Sequence, residues 1–185
     1  MPLKRSGQLF STLMFFWLSG GAALADEPLP LPEDKTVCSP SGIYCAEVRV
    51  GSGPLKNDPR TTVLKSGKAL WSMPGWFRDP YLADNGDHLV VGNDGLGLIP
   101  MRYNPPITIL TFWRRGELVR KVPLSEIVLD ASNLGITGSH RLWGRTLGFD
   151  EQGRFVVQTV EDRALAFDPK SGLLVDIWPK SLHEN

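Results

Sequence analysis

Three stretches of this chain share one plan when aligned on a turn glycine: SPSGIYCAEV, LADNGDHLVV and FDEQGRFVVQ. In each, a turn rich in Ser, Asp, Asn or Gln ends in Gly42, Gly86 or Gly153. Two residues later comes a ring-bearing side chain, Tyr44, His88 or Phe155, followed by small or branched apolar residues. Glycine supplies the positive φ that a tight hairpin turn needs, and the run behind it has strand composition. A second hairpin of similar grammar follows each stretch: TTVLKSGKALW, ITILTFWRRGELV and ALAFDPKSGLLV, with Gly67, Gly116 and Gly172 at the turns. One unit therefore reads strand, tight turn, strand, loop, strand, tight turn, strand. Three units predict an all-β chain of about 12 strands.

That grammar resembles the blade repeat of YVTN/WD40-like β-propellers, where S-P-D-G-x-x-hydrophobic-V is followed by a hydrophobic run and D-x-x-T-G-x-hydrophobic. The third unit matches best; the first two carry a longer internal loop. The resemblance implies about three propeller-like four-stranded antiparallel units, an open or partial propeller. Propellers usually close with four blades or more. Three units therefore leave an open arc or three-sheet body as the first expectation, with an orthogonal sandwich as an alternative and closure by a second copy last. The interval from Gly86 to Gly153 exceeds a blade period of about 40 to 50 residues, which predicts an insertion there. Segments of the LADNGDHLVV and GELVRKVPLSEI type are also similar to those of small exported bacterial proteins of unknown function. That likeness covers most of the mature chain and implies no chemistry.

The first 25 residues read as a secretory signal peptide. Lys4 and Arg5 precede an apolar stretch from Leu9 to Leu18, and Ala23-Leu24-Ala25 supplies the small-x-small cleavage site. The apolar stretch is too short for a membrane span, so a periplasmic or secreted product without a span is expected. Residues 26–36 read as a Pro-rich extended leader, 37–180 as the β-repeat domain and 181–185 as a flexible tail. With 20 basic and 20 acidic residues in the chain, general nucleic-acid binding or a polybasic membrane foot is disfavoured. The two cysteines, Cys38 and Cys45, flank a turn centred on Ser41 and Gly42 and would fall opposite one another. A disulfide between them fits an oxidising compartment; a redox-active pair is the less favoured alternative, since the spacing is not C-x-x-C. PLSEIVLDAS predicts one short helical turn with Ser125 as N-cap.

In an up-and-down sheet the tight turns lie on one face and the long loops on the other, where binding sites tend to be built. The loop-face candidates are Lys56, Arg60, Trp76, Arg78, Asp94, Arg102, Tyr103, His140, Arg141, Trp143 and Arg145. Arginines with aromatics could hold an anionic or sugar-like ligand through bidentate hydrogen bonds and stacking. The competing reading has Trp76 and Trp143 pinning loops to the sheet and the arginines solvated. His88 reads as a packed strand residue in the place of Tyr44 and Phe155, and His183 lies in the tail. His140 is then the one histidine suited to a general base, with Arg141, Arg145 or Arg102 as charge stabilisers. Asp84, Asn85, Asp87, Asn93 and Asp94 depart from calcium-loop spacing, and no cofactor or metal motif is present. The preferred expectation is a non-enzymatic exported module that binds a protein or small ligand on its loop face. The alternatives are a periplasmic enzyme acting on a polar or anionic substrate, and an assembly protein that pairs through open sheet edges.

Overall fold

The computed structural model describes residues 30–52, 57–93 and 97–179. The signal segment, the start of the leader, the tail, Lys56, Asp94 and His183 lie outside the described residues. The strands are β1 (Lys35–Cys38), β2 (Tyr44–Arg49), β3 (Arg60–Lys65), β4 (Lys68–Pro74), β5 (Pro80–Leu82), β6 (His88–Gly92), β7 (Leu98–Pro100) and β8 (Thr108–Arg114). They continue as β9 (Glu117–Pro123), β10 (Gly135–Ile136), β11 (His140–Leu142), β12 (Gly144–Phe149), β13 (Phe155–Thr159), β14 (Arg163–Phe167) and β15 (Leu174–Pro179). The chain is all-β, and every strand pair is antiparallel. Three four-stranded sheets, β1-β2-β3-β4, β5-β6-β8-β9 and β12-β13-β14-β15, coincide with the three sequence units. The long interval between the second and third turn glycines holds the insertion. Its two parts, β7 and the β10–β11 hairpin, pair with each other in a small sheet of order β10-β11-β7.

The turn glycines work alike. The amides of Gly42, Gly86 and Gly153 donate to the carbonyls of Ser39, Ala83 and Asp150, at 2.8, 2.9 and 2.9 Å, each with φ near +70°. The first turn is thus centred on Pro40 and Ser41, one residue earlier than its sequence suggested, and the register still sets Cys38 opposite Cys45. Those two cysteines form a disulfide, which fits a non-cytoplasmic protein. Ser66-Gly67 and Arg115-Gly116 are two-residue turns with positive φ at both positions, the backbone that matches the strand twist.

The second sheet is covered on both faces. Leu82 and Leu89 face Ala46, Val63 and Met73 of the first sheet, while Val90, Leu110 and Phe112 share a core with Phe155, Val157, Leu165 and Phe167 of the third. Phe112 meets Phe155 edge-to-face, with ring centroids 6.1 Å apart. Burial on both faces explains why HLVVG and TILTFWR are apolar at neighbouring positions rather than alternating. The sheets also dock through corresponding glycines: Gly116 lies against Ser72 and Met73 of the preceding unit, and Gly172 against Phe112 and Arg120. On the far face of the third sheet Val156, Ala164 and Ala166 pack with Trp178, over whose ring the Arg154 guanidinium sits at 5.4 Å. The edge strand β15 leaves Val175 and Ile177 about half exposed. Among the described residues no helix is long and apolar enough to cross a membrane.

Candidate functional site

The linker after β9 forms two 3-10 turns, Leu124–Glu126 and Ala131–Asn133. Ser125 does not cap the first: it lies inside that turn, which Pro123 precedes without any side-chain cap. The Leu124 amide donates instead to the Ile107 carbonyl at 2.9 Å, tying the linker to the segment that enters β8. Asp130 does cap the second turn, accepting from the Ser132 amide at 2.8 Å.

Arg120 on the preceding strand, and Glu161 and Arg163 remote in sequence, hold this linker in place. Arg120 donates to both carboxylate oxygens of Glu126, at 2.9 and 2.8 Å, and to the Gly172 carbonyl at 2.8 Å. Glu161, in the turn between β13 and β14, accepts from the amides of Leu129 and Asp130, from the Asn133 side chain and from Arg163. Arg163 also donates to the Ile127 carbonyl at 2.8 Å. Burial works against the charged Glu161 carboxylate, but the hydrogen bonds from Asn133, Leu129, Arg163 and Asp130 outweigh it and hold its pKa down at about 2.

Between the secured linker and the strand-entry segment lies a cleft of about 310 Å³. Tyr103, Pro105, Pro106 and Ile107 form one side; Pro123, Leu124, Ser125, Val128, Leu129 and Ala131 form the other. Leu124 and Val128 are buried and Leu129 stands at the rim, 79% exposed. None of these ten residues is charged at neutral pH. The volume is at the small end for ligand sites, and the lining offers apolar contact with few hydrogen-bonding groups. It suits a neutral apolar group and provides no acid–base pair.

Of the sequence candidates, Tyr103 lines the cleft and Arg102 is exposed beside it. The rest serve elsewhere. Trp76 Nε1 donates to the Glu33 carbonyl at 2.8 Å and Arg78 to the Pro30 carbonyl at 2.9 Å, with the Arg78 guanidinium 5.2 Å over the Trp76 ring. These two side chains clamp the leader. Trp143 is buried in the main core, and Arg60 donates to Ser72 Oγ at 3.3 Å. His140 Nδ1 lies 2.6 Å from Ser139 Oγ, while Arg141 reaches the Met101 carbonyl at 3.4 Å and Arg145 the Gln158 side chain at 2.9 Å. In the acidic segment of the second unit, Asp84 accepts from the Ser41 amide, Asn85 from the Asp87 amide, and Asp87 pairs with Arg115.

A second hollow, of about 640 Å³, opens where the three first turns meet. It is bordered by Pro40 and Ser41, by Ala83, Asp84 and Asn85, and by Phe149 to Gly153. The corresponding positions of the three motifs foreshadow that meeting. The cleft left a fainter sign, the paired prolines of YNPPI and the apolar VPLSEIVL, which a search for charged and aromatic groups passes over. No model of a protein family matches the chain, and no curated protein is significantly similar to it.

Proposed function

We propose that this chain is an exported binding module, three β-repeat units in an open propeller-like arc, whose loop-built cleft receives a neutral apolar group of a protein or small ligand. The observation that carries the reading is the cleft itself: about 310 Å³, uncharged along its described lining, with one wall braced by Arg120 of the preceding strand β9 and by Glu161 of the third sheet's β13–β14 turn. A wall held in place before the ligand arrives reduces the ordering cost of binding. The arc is supported by the corresponding glycines, Gly116 and Gly172, each set against the unit before it. The test uses N-phenyl-1-naphthylamine, a neutral apolar fluorophore. Its emission should rise on mixing with the protein and the rise should vanish in Leu129→Asp and Ser125→Arg, both at exposed cleft positions, with thermal stability retained. Undiminished emission in both variants refutes the site.

A second reading, assembly through a sheet edge, draws on β15. Val175 and Ile177 there, and Leu173 just before it, are 53%, 51% and 53% exposed, and such an apolar edge is a template for an added strand. On this reading the protein self-associates at micromolar concentration in size-exclusion chromatography and Val175→Lys restores the monomer. A monomer at all concentrations refutes it.

A further inference from the structure

The linker from β4 to β5 carries the run Gly75-Trp76-Phe77-Arg78-Asp79. Its start is pinned beside β3: the Gly75 amide donates to the Pro59 carbonyl at 2.8 Å, and Thr61 Oγ1 donates to the Gly75 carbonyl at 2.9 Å. Phe77 packs against the core between the first and second sheets, its ring 6.3 Å from that of Trp113. With Phe77 turned inward, its two neighbours are left on the outer side, where both reach the leader. Trp76 Nε1 donates to the Glu33 carbonyl at 2.8 Å and Arg78 to the Pro30 carbonyl at 2.9 Å, and the Arg78 guanidinium lies 5.2 Å over the Trp76 ring. The donor pair is thus held from its own side of the contact, by Phe77 and by the stacking of one member on the other.

What this pair reads is narrow. An indole N–H and a guanidinium can only donate, and both meet backbone carbonyls. The two carbonyls belong to residues three apart, the repeat of polyproline II, whose backbone makes no internal hydrogen bonds and leaves its carbonyls open to donors. Pro30 and Pro32 favour that backbone and lack N–H groups, so the segment offers acceptors and few donors to a site made of donors. Neither bond uses a leader side chain. The occupant is also loosely held. Residues 30–34 are all exposed, Leu31 by 83%, and two hydrogen bonds at a wet surface do not far exceed the cost of ordering the segment. Firm attachment begins at Asp34, whose carboxylate accepts from the Val50 amide at 2.9 Å and from Arg49 at 3.3 Å, and at Lys35, 3.8 Å from Asp79. The leader leaves the site incompletely matched: Arg78 Nε is buried and makes no hydrogen bond among the described residues.

We propose that Trp76 and Arg78 form a recognition site for a proline-rich segment of another polypeptide, with the leader as its tethered competitor. An incoming segment in polyproline II form presents the same pair of carbonyls and takes the place of residues 30–33, while Asp34 and Lys35 stay as the hinge. It binds as a preformed, low-entropy ligand, the mode by which aromatic-lined grooves take proline-rich peptides. The leader competes from a short tether, at an effective concentration of about millimolar. Loosening the leader must therefore strengthen binding in trans.

The test is fluorescence anisotropy of a labelled peptide with the sequence of residues 26–35, DEPLPLPEDK, titrated with the full chain. Pro30→Gly together with Pro32→Gly in the chain loosens the leader and should tighten the apparent Kd by roughly fourfold or more. In that loosened chain, Trp76→Phe keeps a ring but removes the donor and should weaken binding by about fivefold. A peptide of equal charge with glycine at its three prolines should bind the loosened chain roughly tenfold more weakly. No binding to the loosened chain at millimolar concentration, an apparent Kd no tighter than the wild type's, equal binding of the glycine peptide, or no loss in Trp76→Phe overturns the proposal. If Trp76→Phe does not fold, NMR of the Trp76 indole proton in the loosened chain decides in its place: a shift on peptide addition supports the site and an unmoved resonance overturns it. None of these readouts involves the apolar cleft.

Discussion

Replacing Glu161 by Gln tests whether one carboxylate holds the cleft wall. The side chain is 9% exposed and accepts four donors, two of them the backbone amides of Leu129 and Asp130. Its pKa falls from 4.5 to about 2, a difference equivalent to about 3 kcal/mol at full strength. Solvent reaches several of the donors, so the realised contribution should be about 1–2 kcal/mol. The folded state binds the proton less readily than the unfolded one. The stabilisation is therefore complete well above pH 4.5 and is lost as the pH falls toward 2. Gln keeps one acceptor and turns an amide donor toward the other N–H groups, so it cannot replace the carboxylate. Urea unfolding of both proteins at pH 7.0 and 3.0 should show Glu161→Gln less stable by about 1–2 kcal/mol at the higher pH, with most of that gap lost at the lower. Equal stability at pH 7.0, or a gap that does not change with pH, would show that Glu161 is not the brace described.

The turn glycines separate backbone conformation from close approach. Gly153→Ala meets nothing within 4 Å at φ +73°, so urea unfolding should show only the left-handed backbone cost, about 1 kcal/mol. Gly86→Ala has a similar φ of +68° but drives a methyl into the Tyr44 ring, and should cost about 3 kcal/mol or more, because a core contact is displaced as well. Equal losses in the two variants would contradict the packing described between the first and second sheets.

The antiparallel hairpins were legible because their information is local. A glycine with positive φ closes each first turn within four residues, and the same hairpin grammar places Cys38 opposite Cys45. The insertion was legible as an excess of chain between Gly86 and Gly153, although its internal pairing was not. β7 and β11 are short and their partners lie far along the chain. Ser125 misled because its composition fits an N-cap, whereas the neighbouring Leu124 amide is claimed by the carbonyl of Ile107.

Sequence by itself determined the all-β class, the tight glycine turns and the opposed cysteines, since each depends on residues only a few positions apart. The tertiary structure alone decided the site. Trp76 and Arg78 were open to ligand binding until the carbonyls of Glu33 and Pro30 were seen to occupy them. The cleft wall takes its position from Arg120 and Glu161, and the latter lies 32 residues from the Leu129 amide it holds. Contacts of that separation depend on how whole sheets stack, and stacking is set by complementary shape over many side chains rather than by any short pattern.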